Sequence, residues 1–347
     1  MKTKAAILVQ INKPLSVEEL ILPRLKTGQV LVKVAYSGLC RSQLNEVQGL
    51  KGEDKYLPHT LGHEGSGIVQ GVGPGVKKVK AGDHVVLTWI KASGRDVPST
   101  IYKRNNGTDV NSGAISTFME HAIISENRLV KIPQKMPLRQ AALLGCAVLT
   151  GAGIIRNTAS VKRGSTVAVF GVGGIGLSAI LQAQLAKAKV IIAVDKFDEK
   201  LKIACKAGAT HTVNVQKEDP LLRISEFTEG QGVDYAIEAA GVRQAMETAF
   251  QTVRDNGGLC VLAGNLAQGE LINLNPFDLI KGKRIKGSWG GESRPDKDIP
   301  YYVNLYLSGR LNLEILITHT YRLGEINQAI DAIGKESIGR VLIEMEF

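Results

Sequence analysis

Val167-Ala168-Val169-Phe170 runs directly into Gly171-Val172-Gly173-Gly174-Ile175-Gly176, and the reading of these ten residues decides the fold. Four apolar residues in a row, bounded by glycine, read as a strand buried on both faces. Behind the glycines, Ile175, Ala179 and Ala183 recur four apart, so the spacing predicts a helix from Gly173 to Lys187. G-x-G-x-x-G in isolation is a weak signal, because glycine turns are common. Set between a strand and a helix, each glycine has a task. Gly171 makes the tight turn, Gly173 lets backbone approach a pyrophosphate, and Gly176 lets the helix pack on the strand. Gly174 and Ile175 then open the helix, whose unpaired N–H groups suit an anion. Asp195 closes the next apolar run, nineteen residues after Gly176, where a carboxylate accepts the ribose hydroxyls of an adenosine and repels a 2′-phosphate. NAD is the expected cofactor and NADP the lesser one, with Lys196 softening the exclusion. Lys200 is a further ribose candidate.

The alternation continues on either side of this motif. Runs at 190–194, 211–215, 233–237, 259–263 and 284–287 are separated by helical or polar stretches, giving six strands in an α/β, doubly wound parallel sheet. Before residue 150 the pattern is different. Short runs such as Leu31-Val32-Lys33-Val34, Gly67-Ile68-Val69 and Val85-Val86-Leu87 lie among glycine turns and predict a β-rich domain. Residues 91–113 read as a polar loop. The last sixty residues turn mixed again and are expected to return to the first domain. The expected boundaries are 1–147 with 288–347 for the β-rich catalytic domain and 148–287 for the dinucleotide domain.

Composition bounds the function. The chain has 347 residues, 44% of them hydrophobic and 22% charged, enough for two cores. A net charge of +10 raises nucleic acid as a partner, but the basic residues are dispersed. The densest run, Lys281-Gly282-Lys283-Arg284-Ile285-Lys286, has no interleaved aromatics, so no specific nucleic-acid partner is expected. The apolar run Ala5–Val9 is five residues long and no other approaches a transmembrane length, so no membrane partner and a cytoplasmic location are expected. The four cysteines, Cys40, Cys146, Cys205 and Cys260, are too far apart for a C-x-x-C pair and read as free thiols or metal ligands.

Gly62-His63-Glu64, with Gly67, Gly73 and Val76 at their spacing, resembles the zinc signature of the medium-chain alcohol dehydrogenases. Gly38-Leu39-Cys40-Arg41-Ser42 resembles that family's first-ligand segment, and Gly145-Cys146-Ala147-Val148-Leu149-Thr150-Gly151 its third. The similarity runs in order from Ala5 to the C-terminus. Leu316-Ile317-Thr318-His319 is similar to the glutathione-dependent formaldehyde dehydrogenase branch. The resemblance implies a GroES-like catalytic domain beside a Rossmann domain, and a homodimer or homotetramer. It implies one zinc per chain on Cys40, His63 and Cys146, with Glu64 beside the metal. Two thiolates and an imidazole suit zinc and leave its fourth position open.

The family's second, structural zinc sits on four close cysteines, whereas residues 91–113 contain none. Ser, Asn and backbone contacts are expected to hold that loop instead. The implied reaction is reversible hydride transfer between NAD and a small-molecule alcohol, aldehyde or ketone. Ser42 is the implied proton relay. Asn45 stands where relatives often carry a histidine, so the proton is expected to leave through the cofactor ribose and water. Arg41 and Arg340 are implied phosphate contacts, and Trp89 and Phe118 fall where the family lines its substrate channel. Gln43 replaces an Asp that orients the zinc-bound histidine; its oxygen could accept the same hydrogen bond without the charge. A zinc-free quinone or enoyl reductase would lack both cysteines and the Gly-His-Glu motif. A non-catalytic dinucleotide- or RNA-binding protein on the same fold is the rival from another class. A polyol dehydrogenase would carry a carboxylate in place of Cys146.

Overall fold

The computed structural model describes residues 1–335 and 339–346; Ser337 and Ile338, quoted alongside Arg340 in the C-terminal segment, lie outside them. Two compact units form, Met1–Cys146 with residues 294–335 and 340–346, and Ala147–Ser293.

The second unit is built on six parallel strands, Thr166–Phe170, Val190–Asp195, His211–Asn214, Tyr235–Glu238, Leu259–Leu262 and Arg284–Gly287. In space they run third, second, first, fourth, fifth, sixth. The order reverses beside the first strand, which is where such sheets bind dinucleotides. Helices Gly174–Leu185, Asp198–Lys206, Pro220–Phe227 and Arg243–Thr252 make four of the crossovers, and the short helix Pro276–Ile280 the fifth. One core packs Ala168, Phe170, Ile192, Val194, Ile224, Ala236, Phe250 and Cys260, and Val167, Val169, Ile191 and Ala193 are buried on the other face, so the first two strands are continuous apolar runs. Residues 288–293, expected in the first domain, stay with this unit. Ser288 Oγ lies 2.7 Å from Thr158 Oγ1, Asn157 Nδ2 donates to Gly291 O, and Ser293 Oγ donates to Leu149 O. Those side-chain bonds move the crossing to Ser293, a shift that no periodicity in the sequence signals.

The first unit is β-rich. Lys2–Leu8, Ser16–Ile21, Ile101–Lys103, Asp109–Asn111 and His59–Thr60 close a small barrel. A seven-stranded sheet is centred on Gln29–Leu39, which pairs with Glu64–Val72, His121–Ser125 and Arg340–Glu344. The C-terminal strand thus returns to the first sheet. The polar segment 91–113 is not wholly a loop, because Ile101–Lys103 and Asp109–Asn111 pair as a hairpin whose inward residues, Tyr102 and Val110, are fully buried. Three-residue strands are too short to show an alternation in sequence.

The start of the 91–113 segment is held by serine, asparagine and backbone contacts, as expected, and also, together with residues 77–78, by a buried carboxylate. Glu126, 3% exposed, accepts backbone N–H groups from Lys77 at 2.6 Å, Lys78 at 2.7 Å and Arg95 at 3.1 Å. Burial pushes its carboxyl up, but those three bonds outweigh it and hold the pKa below the ordinary value. Ser125 and Asn127 contribute: Ser125 Oγ donates to Arg95 O, and the Asn127 backbone both donates to Arg95 O and accepts from Ala92 N–H. A buried carboxylate is therefore the centre of this anchor, and serine, asparagine and backbone contacts surround it.

Candidate active site

In the second unit, Gly171 has φ +88°, and a Cβ there would lie 2.5 Å from Ala240 N, so the turn admits glycine alone. A Cβ on Gly176 would strike Gly171 O at 2.0 Å, which is the close helix–strand packing the motif requires. A Cβ on Gly173 would meet nothing within 4 Å. This open face adjoins the first N–H groups of the helix that begins at Gly174, with Ile175 second, and it fits a pyrophosphate. Asp195 ends its strand with Oδ2 accepting Val172 N–H at 2.8 Å and Oδ1 accepting Lys196 N–H at 2.8 Å and Phe197 N–H at 3.1 Å. The acid therefore braces the glycine loop. Lys200 is half-buried, its Nζ 5.2 Å from the Phe197 ring centroid, and Lys196 lies over the same ring at 5.0 Å.

In the first unit, three backbone features converge. Strand Gln29–Leu39 delivers Cys40 to the N-cap of helix Arg41–Val47. Gly62 turns with φ +95° and places His63 ahead of strand Glu64–Val72. The 3-10 turn Ala142–Gly145 ends at Cys146, its carbonyl at Gly145 fixed by a 2.7 Å bond from Thr88 Oγ1. Their ligand atoms, two thiol sulfurs and one imidazole nitrogen, all lie within 4.8 Å of one another. Two sulfurs and a ring nitrogen from three separate segments form a donor set that fits one zinc with an open position. The sulfurs also respond to each other. A hydrogen bond from Cys146, with the charge of Arg340 and a bond from His63, lowers the Cys40 pKa well below its ordinary value, while the same bond and burial push Cys146 up. The pair thus carries one thiolate readily, and a second needs a cation between them.

Glu64 is 0% exposed, and Arg340 is 4% exposed. Arg340 Nε donates to Glu64 Oε1 at 2.7 Å, and Nη2 contacts the same oxygen. Sheet register explains the meeting: Val341 pairs with Leu39, so Arg340 comes level with Cys40. A Cβ on Gly38 would lie 1.8 Å from Glu64 Oε1, so only glycine leaves room for that carboxylate. Burial opposes the charge of Arg340, but Glu64 and the two cysteine sulfurs push its pKa up. Arg340, expected to contact a phosphate, is a buried partner of Glu64 in the metal corner. The two are 276 residues apart, so no local signal joins them. The available clue was that a buried Glu beside a glycine-rich strand requires a cation.

The remaining candidates fall out as follows. Arg41 is exposed, and Ser42 and Asn45 are half-buried on the same helix as Gln43. Gln43 does not place its oxygen on His63: Oε1 accepts Cys40 N–H at 2.7 Å and Nε2 lies 2.6 Å from His63 Nδ1. Trp89 is half-buried, its carbonyl bonded by Arg128. Phe118 is 0% exposed, and its backbone bridges Ala6 and Leu61. It is corrected from a channel residue to a core aromatic, since no surface remains for a substrate to touch.

A dinucleotide sheet and a soft-metal corner on one chain define a nicotinamide-linked, metal-assisted oxidoreductase class. The model of the alcohol dehydrogenase GroES-like domain matches residues 26–134, and that of zinc-binding dehydrogenases matches residues 174–308. The chain is 32% identical to alcohol dehydrogenase 1 of Pisum sativum, covering 100% of this chain and 98% of that one. It is 34% identical to the S-(hydroxymethyl)glutathione dehydrogenase of Synechocystis, covering 95% and 96%. The crystal structure of benzyl alcohol dehydrogenase from Acinetobacter calcoaceticus superposes with a TM-score of 0.91 at 30% identity, covering 100% of both chains. The chain belongs to the zinc-containing medium-chain alcohol dehydrogenase family. Among the described residues no single helix is long and apolar enough to cross a membrane.

Proposed function

We propose that the chain is an NAD-linked alcohol dehydrogenase that carries one zinc on Cys40, His63 and Cys146. The observation that supports this most directly is the convergence of those three ligand atoms within 4.8 Å. Zinc, when bound, supplies a Lewis acid that acidifies an alcohol hydroxyl and polarises a carbonyl, and the nicotinamide exchanges the hydride.

The chain's own groups do the rest. Arg340 keeps Glu64 neutralised beside the sulfurs, so that the corner's net charge is set by the two cysteines. Ser42, two residues past Cys40, takes the substrate hydroxyl proton on Oγ while passing on its own. The Asn45 amide cannot accept a proton at neutral pH, so the proton leaves toward water. The N–H groups at Gly174 and Ile175 hold the pyrophosphate, with Arg41 as a second contact. Asp195 favours a free ribose over a 2′-phosphate. Trp89 borders the substrate and favours slim or flat alcohols.

A homodimer is also part of this reading. Arg284–Gly287 is an edge strand of the six-stranded sheet, and Phe277, Ile280 and Trp289 nearby are exposed at 56%, 77% and 80%. The test of the reaction is zinc content with NAD reduction across a panel of alcohols, before and after chelation. About one zinc per chain with chelator-sensitive turnover is expected. Turnover that persists without zinc would retire the metal from the reading.

A further inference from the structure

Gln43 is 1% exposed, with its amide between two residues of the metal corner. Its Oε1 accepts the Cys40 backbone N–H at 2.7 Å, and its Nε2 lies 2.6 Å from His63 Nδ1. A peptide N–H and an amide NH₂ can only donate. The Cys40 N–H therefore decides which end of the amide is oxygen, since turning it over would set two donors against each other. With the amide so fixed, His63 Nδ1 must accept, and the hydrogen of the neutral ring sits on Nε2. With Nδ1 taken, Nε2 is the nitrogen left to a metal. A metal binds a bare ring nitrogen and leaves the hydrogen on the other one.

We infer that Gln43 holds His63 in the tautomer opposed to metal binding, so that loading the site requires the amide to give up one of its two partners. This rests on the ligand set proposed above. When the metal takes Nε2, the ring hydrogen moves to Nδ1 and needs an acceptor. The single oxygen of Gln43 is already claimed by Cys40 N–H, so one oxygen serves two buried donors. A carboxylate of the same length has two oxygens, one for each donor. Gln43 is thereby a positioning residue that weakens the grip on zinc and keeps the metal exchangeable.

The test uses the full-length chain, reduced and stripped of metal. Long-range proton–nitrogen spectra report which ring nitrogen carries hydrogen, and a His63→Gln chain identifies the His63 signals. The metal-free wild type is expected to show hydrogen on Nε2, and Gln43→Glu to show it on Nδ1. Competition with a chromophoric chelator should show Gln43→Glu binding zinc roughly tenfold to a hundredfold more tightly. Hydrogen on Nδ1 in the metal-free wild type would overturn the inference. So would tighter zinc with an unchanged tautomer, which assigns the gain to charge alone. If cobalt gives no thiolate absorption in either chain, the ligand set fails, while the ring spectra still decide the tautomer.

Discussion

Two anchors in the first unit hold irregular backbone in opposite ways. The corner of Cys40, His63 and Cys146 gathers two sulfurs that cannot both ionise comfortably without a cation. The segment 77–97 gathers on Glu126, whose charge is met by three peptide N–H groups of the chain itself. The first is an unfinished electrostatic arrangement and therefore a candidate binding site. The second is complete and therefore a structural one. A buried charge marks function when its partners come from outside the chain, and stability when they come from within it.

The largest expected effect breaks the unfinished anchor. Cys146→Ala should reduce zinc to well under one per chain and lower turnover by roughly a thousandfold or more, since Lewis-acid assistance is worth several kcal/mol. Metal analysis and NADH absorbance read this. The metal-free wild type and the variant should unfold at similar denaturant concentrations. If zinc stays stoichiometric in the variant, the corner is not the metal site.

Next is the completed anchor. Glu126→Ala leaves the N–H groups of Lys77, Lys78 and Arg95 without their carboxylate acceptor, a loss of about 2–4 kcal/mol. Chemical unfolding should show the loss, while zinc per folded chain stays near one. A variant that folds with wild-type stability but loses metal would join the two anchors and end the distinction.

The same contrast governs what could be read from the sequence. The second unit was legible because periodicity and the glycine motif act over ten to fifteen residues, and all six strands stand within two or three residues of where apolar runs place them. Cys40, His63 and Cys146 were legible through the short motifs around them. The Arg340–Glu64 pair was not legible because it forms through sheet register, and the burial of Phe118 was not because a lone aromatic between strands does not show which way it faces. Glu126 was missed altogether: Ser125-Glu126-Asn127 reads as an ordinary polar turn, and its three donors lie 31 to 49 residues upstream.

A third prediction moves to the other unit, where Asp195 combines both behaviours: it braces Val172 from within the chain and awaits a ribose from outside. Asp195→Ala should shift kcat/KM from NAD toward NADP by roughly tenfold to a hundredfold, as for loss of a hydrogen bond to a charged group together with relief of phosphate repulsion. Steady-state kinetics with both cofactors measure the ratio. An unchanged ratio with lower stability would place Asp195 wholly on the structural side.

The smallest effect tests the completed anchor's charge alone. In Glu126→Gln one oxygen remains for Lys77 and Lys78, but an NH₂ now faces Arg95 N–H, costing about 1–3 kcal/mol at neutral pH. The folded-state pKa of Glu126 is lowered, so its contribution is fully present above the ordinary carboxylate value of 4.5 and is lost as pH falls through the folded value. Unfolding free energies of wild type and variant should therefore differ most at pH 6–8 and draw together below the ordinary value, once the wild-type carboxyl is itself protonated. A gap that stays constant down the acid limb would mean that shape, not charge, holds residues 77–97, and the electrostatic distinction between the two anchors would lose its second half.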